Sequence, residues 1–230
     1  MMIKHYLKVA FRNLAKYKVQ SIVSILGLAV GFVCFALSTL WIRYEMTYDT
    51  FHEGAERIYL VRAHYAHEPG KISNSTPYPL ADYLQKGNPE IEAMASTSVQ
   101  KVKFRVKDTE KDVVWGTADS VLMNFFNIRV LRGTVNFLKG TNGEIAITEE
   151  FSKRIFGEEE ALGREVEVSG HASKVGAIVS GWSSHSNIPY SILTSARHYT
   201  QWGSANENLF VRIRKGTNVE EFQKKIAALR

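Results

Sequence analysis

The sequence predicts an α+β fold carried behind one N-terminal transmembrane helix, on three observations. Residues 21–42 (SIVSILGLAVGFVCFALSTLWI) are 22 residues without a charge. The whole net charge of +6 flanks that stretch: Lys4, Lys8, Arg12, Lys16, Lys18 and Arg43 precede the first acidic residue, Glu45. Beyond it, strand-like and helix-like segments alternate at both ends of the remaining chain, around a more β-rich middle.

At 1.5 Å per residue the uncharged stretch is roughly 33 Å long, enough to cross a hydrocarbon core of about 30 Å. Tyr17 stands at one end and Trp41 and Tyr44 at the other, where aromatic rings favour the interface. Five Lys/Arg precede it, so the positive-inside rule puts the N-terminus in the cytoplasm and everything after about Tyr44 outside. The segment is too long for a cleaved signal peptide, and LSTLWIRYE offers no small-x-small cleavage site. Ser24, Gly27 and Gly31 recur at small-xxx-small spacing and are candidates for a helix-packing face; chance is the alternative, since glycine is common in membrane helices. Lys4, Lys8, Arg12 and Lys16 recur every four residues beside an apolar stripe of Tyr6, Leu7, Ala10, Phe11 and Leu14. Such a helix lies along the inner membrane surface with its basic side toward lipid headgroups, or else the charges only set topology.

From Glu45 onward 23 basic residues balance 23 acidic ones, so the large domain has no basic excess for nucleic acid. The single cysteine, Cys34, lies in the apolar stretch, which excludes an intrachain disulfide and a cysteine metal site.

Residues 57–66 (RIYLVRAHYA) read as a strand, 68–71 as a turn, and 79–86 as a helix with Ser75 or Thr76 near its cap and Gly87 past its end. Residues 91–106 and 112–117 alternate as strands, with Val102, Phe104 and Val106 on one face. Asp119 caps a short helix over 120–126. A buried-type strand over 144–147 leads to Thr148, the cap of a helix over 149–156 with two acids in its first turn and Gly157 beyond its end. Residues 164–169 and 174–180 form a strand pair joined at Gly170. Strands over 190–193 and 209–214 follow, and Asn218 caps a last helix with Val219, Phe222, Ile226 and Leu229 on one face. The pattern fits two subdomains, the middle one inserted into the outer one. The boundaries are 1–20 for the basic amphipathic helix, 21–44 for the span, and 45–230 for the outer domain. Within that domain the outer part covers about 55–100 and 186–230 and the inserted part about 101–185.

No phosphate loop of the Walker type is present, so this chain is not itself an ATPase. Asp49, His52, Glu53 and Glu56 cluster just after the span and read as a polar helix end rather than a metal site. His64 and His67 stand three apart on a strand and point to opposite faces. Ser183 and His185 lie in a serine-rich loop without a Gly-x-Ser-x-Gly frame or a nearby carboxylate. Glu158, Glu159 and Glu160 read as a solvated loop, and Trp115, Trp182 and Trp202 as core, interface or ligand-contact residues. No catalytic, metal or cofactor-binding residue is assigned, and no cofactor is expected.

Several segments in series resemble the MacB-like periplasmic core domain of FtsX-type ABC transporter permeases, as found in long permeases of Bacteroidetes. They are KHYLKVAFRNLAKYKVQSIVSILGLAVGF, YEMTYDTFHEGAERIYLVR, ADSVLMNFFNIRVLRG, IAITEEFSKRIFGEEEALGREVEV, SSHSNIPYSIL and LFVRIRKGTNVEEFQKKI. The resemblance spans nearly the whole chain. It implies a permease subunit of the inner membrane with a porter-like βαβ outer part and an inserted β-rich part in the periplasm. It also implies a cytoplasmic ABC ATPase as partner, a homodimer or paired permease, contacts with membrane lipids, and a periplasmic adaptor as a further partner. Permeases of this kind carry at least three more membrane helices, so the chain is expected to be an N-terminal fragment whose reading frame runs on past Arg230. The alternative is a single-span, membrane-anchored extracytoplasmic ligand-binding or sensor protein; a tethered hydrolase is a third reading, for which no nucleophile or metal site assembles.

Overall fold

The computed structural model describes residues 2–66, 68–107, 109–181, 186 and 188–228, with residues 2–4, 7, 10 and 11 described by their backbone. The chain divides into two compact units, Met1–Tyr48 and Asp49–Arg230.

The first unit is helical. Helix α1 (Met2–Lys16) is interrupted at Tyr17, whose φ/ψ of −107°/56° leaves the helical region, and α2 (Lys18–Met46) follows. Hydrogen bonds bridge the break: the Tyr17 amide donates to Asn13 at 3.0 Å and the Ser21 hydroxyl to the Leu14 carbonyl at 3.2 Å. Helix α2 is longer than the expected span of 21–44. No proline or glycine cap stops it at either end, and its flanking Lys18, Arg43 and Glu45 can keep their charges in the interface while their stems lie against lipid. Its 29 residues amount to roughly 43 Å. No residue of its most apolar window is buried within the protein, so lipid is the medium that suits it.

The second unit holds, in chain order, β1 (Ile58–Leu60), β2 (Ala63–His64), β3 (Ile72–Ser73), β4 (Ser75–Pro77), α3 (Pro79–Gly87), β5 (Ile91–Thr97), β6 (Val99–Val106), β7 (Thr109–Ala118), α4 (Ser120–Phe125), β8 (Val130–Gly133), β9 (Glu144–Thr148), α5 (Glu149–Phe156), β10 (Glu165–Val168), β11 (His171–Val179), β12 (Ile192–Ser195), β13 (Ala205–Ile213) and α6 (Val219–Ala227). The architecture is mixed α/β behind one N-terminal apolar helix, as expected.

An outer sheet is centred on β13. Strands β1 and β4 follow one another along one of its edges and β5 lies along the other, all antiparallel. Successive residues of a strand face opposite ways. Leu209, Val211 and Ile213 therefore meet α3 and α6 in a core with Leu84, Ile91, Met94 and Phe222, while Phe210 faces the α4 side with Ala93 and Ala95.

Seven strands make the second sheet, in the order β10-β6-β7-β12-β9-β11-β8, and an added β10–β11 pairing closes six of them into a ring. Closure on the β6 side rests on two residue pairs, Glu167 with Arg105 and Val168 with Phe104. Inside lie Phe104, Val113, Ile145, Ile147, Val166, Val175, Ile178 and Ile192, with Phe151 of α5 packed among them. Ala146, Leu193, Ala177 and Val179 point the other way, into the core around α4 that the outer sheet shares. Tyr190 is fully buried in that core and crosses Gly116 so closely that a Cβ there would stand 2.2 Å from its ring. Gly116 is thus required by packing rather than by its backbone angles.

Three expectations change in detail. The strand over 57–66 is broken into β1 and β2 around Val61 and Arg62. Ser75 and Thr76 do not cap α3; they form β4, where the Thr76 hydroxyl donates to the Glu207 carbonyl at 3.0 Å. Tyr78 takes the cap position without a side-chain bond, and Pro79, having no N–H to satisfy, opens the helix. Residues 192–195, grouped above with the outer part, pair with β7 and β9 in the ring.

Other local signals hold. Ser169 and Gly170, at φ 50° and 81°, make a two-residue hairpin turn with both central residues left-handed, which matches the strand twist. The Thr148 hydroxyl accepts from the Phe151 amide at 3.3 Å, with Glu149 and Glu150 in the first turn of α5. That cap aims Phe151 into the ring. Thr148→Ala is expected to cost about 1 kcal/mol and to lower Tm by roughly 2–4 °C in thermal unfolding followed by circular dichroism.

Candidate functional site

The residues that follow the span are built into the second unit. Asp49 takes a left-handed conformation, φ 56°, and accepts a hydrogen bond from the buried Ser186 hydroxyl, which itself accepts from the Ile188 amide at 3.1 Å. His52 lies against Phe51, with ring centroids 4.1 Å apart, and against Phe126 at 4.8 Å. Phe126 in turn meets Phe210 of β13 edge-on at 5.2 Å. The Asn127 amide donates to Glu53 at 2.9 Å, and Arg57 pairs with Glu92 of β5 while donating to the Ile213 carbonyl at 3.0 Å. Arg212 completes the seam by donating to the Phe125 carbonyl, its guanidinium 4.6 Å from the Phe125 ring centroid.

These contacts form a junction in which residues 49–57 grip the end of α4 and both outer-sheet strands beside it. Aromatic rings pass from residue 51 to the middle of β13 without an intervening gap larger than ordinary contact. Burial lowers the His52 pKa below 6.5, with Arg212 acting in the same direction and Asp49 against it. The cluster expected to be a plain polar helix end is therefore a docking segment. Sequence spacing could not show this, because its partners come from residues 92, 126–127 and 186. Among the described residues no three His, Cys, Asp or Glu side chains converge as a metal site.

A second constellation joins the outer sheet to the start of α4. His198 places Nε2 3.1 Å from Asp119 and Nδ1 3.6 Å from Glu207, and stacks on Tyr78 with centroids 3.9 Å apart and planes 11° from parallel. The longer contact is an ion pair rather than a hydrogen bond. Asp119 also accepts from the Leu122 amide at 2.7 Å as the α4 cap. Burial by itself would lower the His198 pKa, but the bond to Asp119 and the charge of Glu207 outweigh it and raise the value to about 9. Asp119 is shifted downward: burial opposes its ionisation, and the His198 and Leu122 bonds prevail. No motif in the sequence flags this group, since its four members stand at 78, 119, 198 and 207.

The residues singled out in the first unit remain candidates. Gly27 and Gly31 lie on α2 with open space where a Cβ would stand, and Ser24 is exposed one turn away. Lys8, Arg12 and Lys16 are exposed along α1, and Lys4 belongs to the same helix. In the second unit, Glu159 and Glu160 are not free loop charges: they pair with Arg164 at 2.8 Å and Arg132 at 3.1 Å. The Trp115 indole donates to Thr194 at 2.8 Å, while Trp202 is exposed beside Tyr83. His64 sits exposed on β2; Ser183, His185, Trp182 and His67 lie outside the described residues.

The MacB-like periplasmic core domain matches residues 21–229. The chain belongs to this family. Solved structures agree on the fold of the MacB-like domain. A domain of a permease protein from Porphyromonas gingivalis superimposes with a TM-score of 0.62 at 18% identity, over 76% of this chain and 83% of that one. The extracellular domain of the noncanonic ABC-type transporter YknZ from Gram-positive bacteria gives 0.51 at 14% identity, over 73% and 86%. The periplasmic region of MacB from Actinobacillus actinomycetemcomitans gives 0.51 at 12% identity, over 75% and 81%. No curated protein sequence matches the chain. The MacB-like family is a component of ABC-type permeases, not itself a catalyst, and membership implies an ATPase partner. An apolar helix long enough to cross a membrane, ahead of a periplasmic-type domain, fits a membrane-anchored protein.

Proposed function

We propose that this MacB-like chain works as a permease subunit whose periplasmic domain is moved from the cytoplasm, coupling ATP hydrolysis by a separate ATPase to export or to force transmission across the inner membrane. The observation that carries the reading is the junction at residues 49–57. A segment that merely tethered the domain would be a solvated linker. Here Asp49 contacts Ser186, His52 and Glu53 contact the end of α4, and Arg57 contacts β5 and β13, so displacement of the emerging chain is passed to α4 and the outer sheet. In this reading the N-terminus is cytoplasmic. The Ser24, Gly27 and Gly31 face receives another permease helix, in a homodimer or with a paired permease. Lys4, Lys8, Arg12 and Lys16 lie on anionic headgroups at the inner surface. A periplasmic adaptor is a further partner of the domain. Family membership supports the ATPase; the basic flank supports the orientation.

Two measurements test this. A membrane-impermeant maleimide should label Trp202→Cys in intact spheroplasts, and labelling only after lysis would reverse the orientation. Affinity purification should capture an ABC ATPase with both the native chain and the double variant Asp49→Ala/Glu53→Ala. ATP should change the spacing of spin labels placed on α3 and α5 in the native complex and not in the variant. Failure to capture an ATPase, or an ATP response that survives the double substitution, overturns the proposal.

A further inference from the structure

A groove of about 470 Å³ opens at one side of the ring, against the segment that leads from β12 to β13. That volume is in the range of small-ligand sites. Its lining mixes polar and apolar surface in nearly equal parts, with one cation, Arg197, and one carboxylate, Glu144, so it is formally neutral. Trp115 and Tyr199 supply aromatic faces, and Gln100 and Ser173 supply an amide and a hydroxyl.

The side chains of Gln100, Ser173, Arg197 and Tyr199 have no hydrogen-bond or ion-pair partner among the described residues. Four uncommitted polar groups thus converge on one concavity. The wall carrying two of them is fixed from behind, because His198, between Arg197 and Tyr199, is clamped by Asp119 and Glu207. Glu144 lies at the floor against Gly176, where any Cβ would stand 2.7 Å from its Oε2, and that oxygen is buried without a hydrogen-bond partner among the described residues.

The chemistry of the lining sorts the ligand classes. An apolar or lipid-like ligand would leave these polar groups desolvated and unpaired. A single cation is too little for a polyanion. A peptide could not bind by strand addition, because β7 is paired with β6 and β12, and β9 with β12 and β11, so the floor has no edge to offer. A neutral polyhydroxylated ligand meets every group present: its hydroxyls donate and accept with the amide, hydroxyl, carboxylate and guanidinium, and its C–H faces lie on the two rings. We infer that this groove is a binding site for a neutral oligosaccharide, with Arg197, Tyr199, Gln100 and Trp115 as its contacts. The inference stands apart from the permease reading.

The test is calorimetric titration of the full chain in a zwitterionic detergent without a sugar headgroup. The probes are neutral trisaccharides built on glucose, mannose, galactose and N-acetylglucosamine, with trialanine as the peptide control. At least one trisaccharide should bind with a Kd of about 1 mM or tighter. Arg197→Ala and Tyr199→Ala should each weaken it by at least about tenfold. Both residues are exposed, so unfolding temperatures should be unchanged. Tyr83→Ala, exposed and outside the groove, should bind as the native chain does. Absence of binding by all four sugars, binding that survives both groove substitutions, or binding of trialanine alone would overturn the inference.

Discussion

Phe104→Ala is expected to destabilise the domain by about 3–5 kcal/mol. Phe104 is 0% exposed, and its ring meets Phe151 edge-on at 5.0 Å in the middle of the ring's interior. Truncation removes the transfer energy of the aromatic ring, leaves a cavity the closed sheet cannot easily collapse into, and strips Phe151 of its partner. Position matters as much as size: Phe104 pairs with Val168, one of two residue pairs that join β10 to β6. Loosening it weakens the seam that closes the ring. Urea unfolding followed by tryptophan fluorescence should show a lower midpoint, with Tm down by roughly 10 °C or more. Leu131→Ala, at an exposed position on β8, should stay within about 0.5 kcal/mol of native and serves as the control. A Phe104→Ala protein as stable as that control would show that packing inside the ring does not hold the domain together.

The parts of this fold that were legible from sequence are those whose causes are local. Asp119, Thr148 and Asn218 each place a side-chain oxygen where the first turn of a helix leaves amides unsatisfied, and each accepts such a bond in the structure. Ser169-Gly170 needs only its own backbone preferences to make a hairpin. Closure of the ring is different. Nothing in Arg164–Ser169 says that β10 pairs with β11 on one edge and with β6 on the other, because that pairing is decided by how the other five strands fill the interior. Strands β4 and β8 carry no such local signal, because Ser75-Thr76-Pro77 and Val130-Leu131-Arg132-Gly133 lack the alternation that marks a strand; each is held as an edge by its neighbour, β13 or β11. The junction and the His198 cluster were hidden for the same reason: their residues have ordinary local roles, and their partners are distant in the chain.

That cluster gives the second large effect. His198→Ala is expected to cost on the order of 3 kcal/mol, because it leaves Glu207, whose side chain is 4% exposed, as a buried charge without its cation. The pH dependence follows from the raised His198 pKa. The folded protein holds the His198 proton up to about pH 9, whereas the unfolded chain releases it near 6.5. The stabilisation is therefore fully present below 6.5 and is lost as pH rises through about 9. Asp119 works in the opposite sense. Its pKa is lowered from 3.8, so its contribution is present above that value and is lost in acid. Denaturation midpoints between pH 4 and 10 should show a plateau on the acid side of neutrality and a decline on the alkaline side, with the decline missing in His198→Ala. Glu207→Gln made on top of His198→Ala should restore part of the loss, since it removes the stranded charge; a purely steric role for the imidazole would give no such recovery. The same clamp holds the wall that carries Arg197 and Tyr199, so the alkaline loss should spread from the seam to that face first. Hydrogen exchange at pH 9.5 should accelerate at residues 196–204 before it does in the ring, and uniform acceleration would mean that His198 stabilises the domain only as a whole.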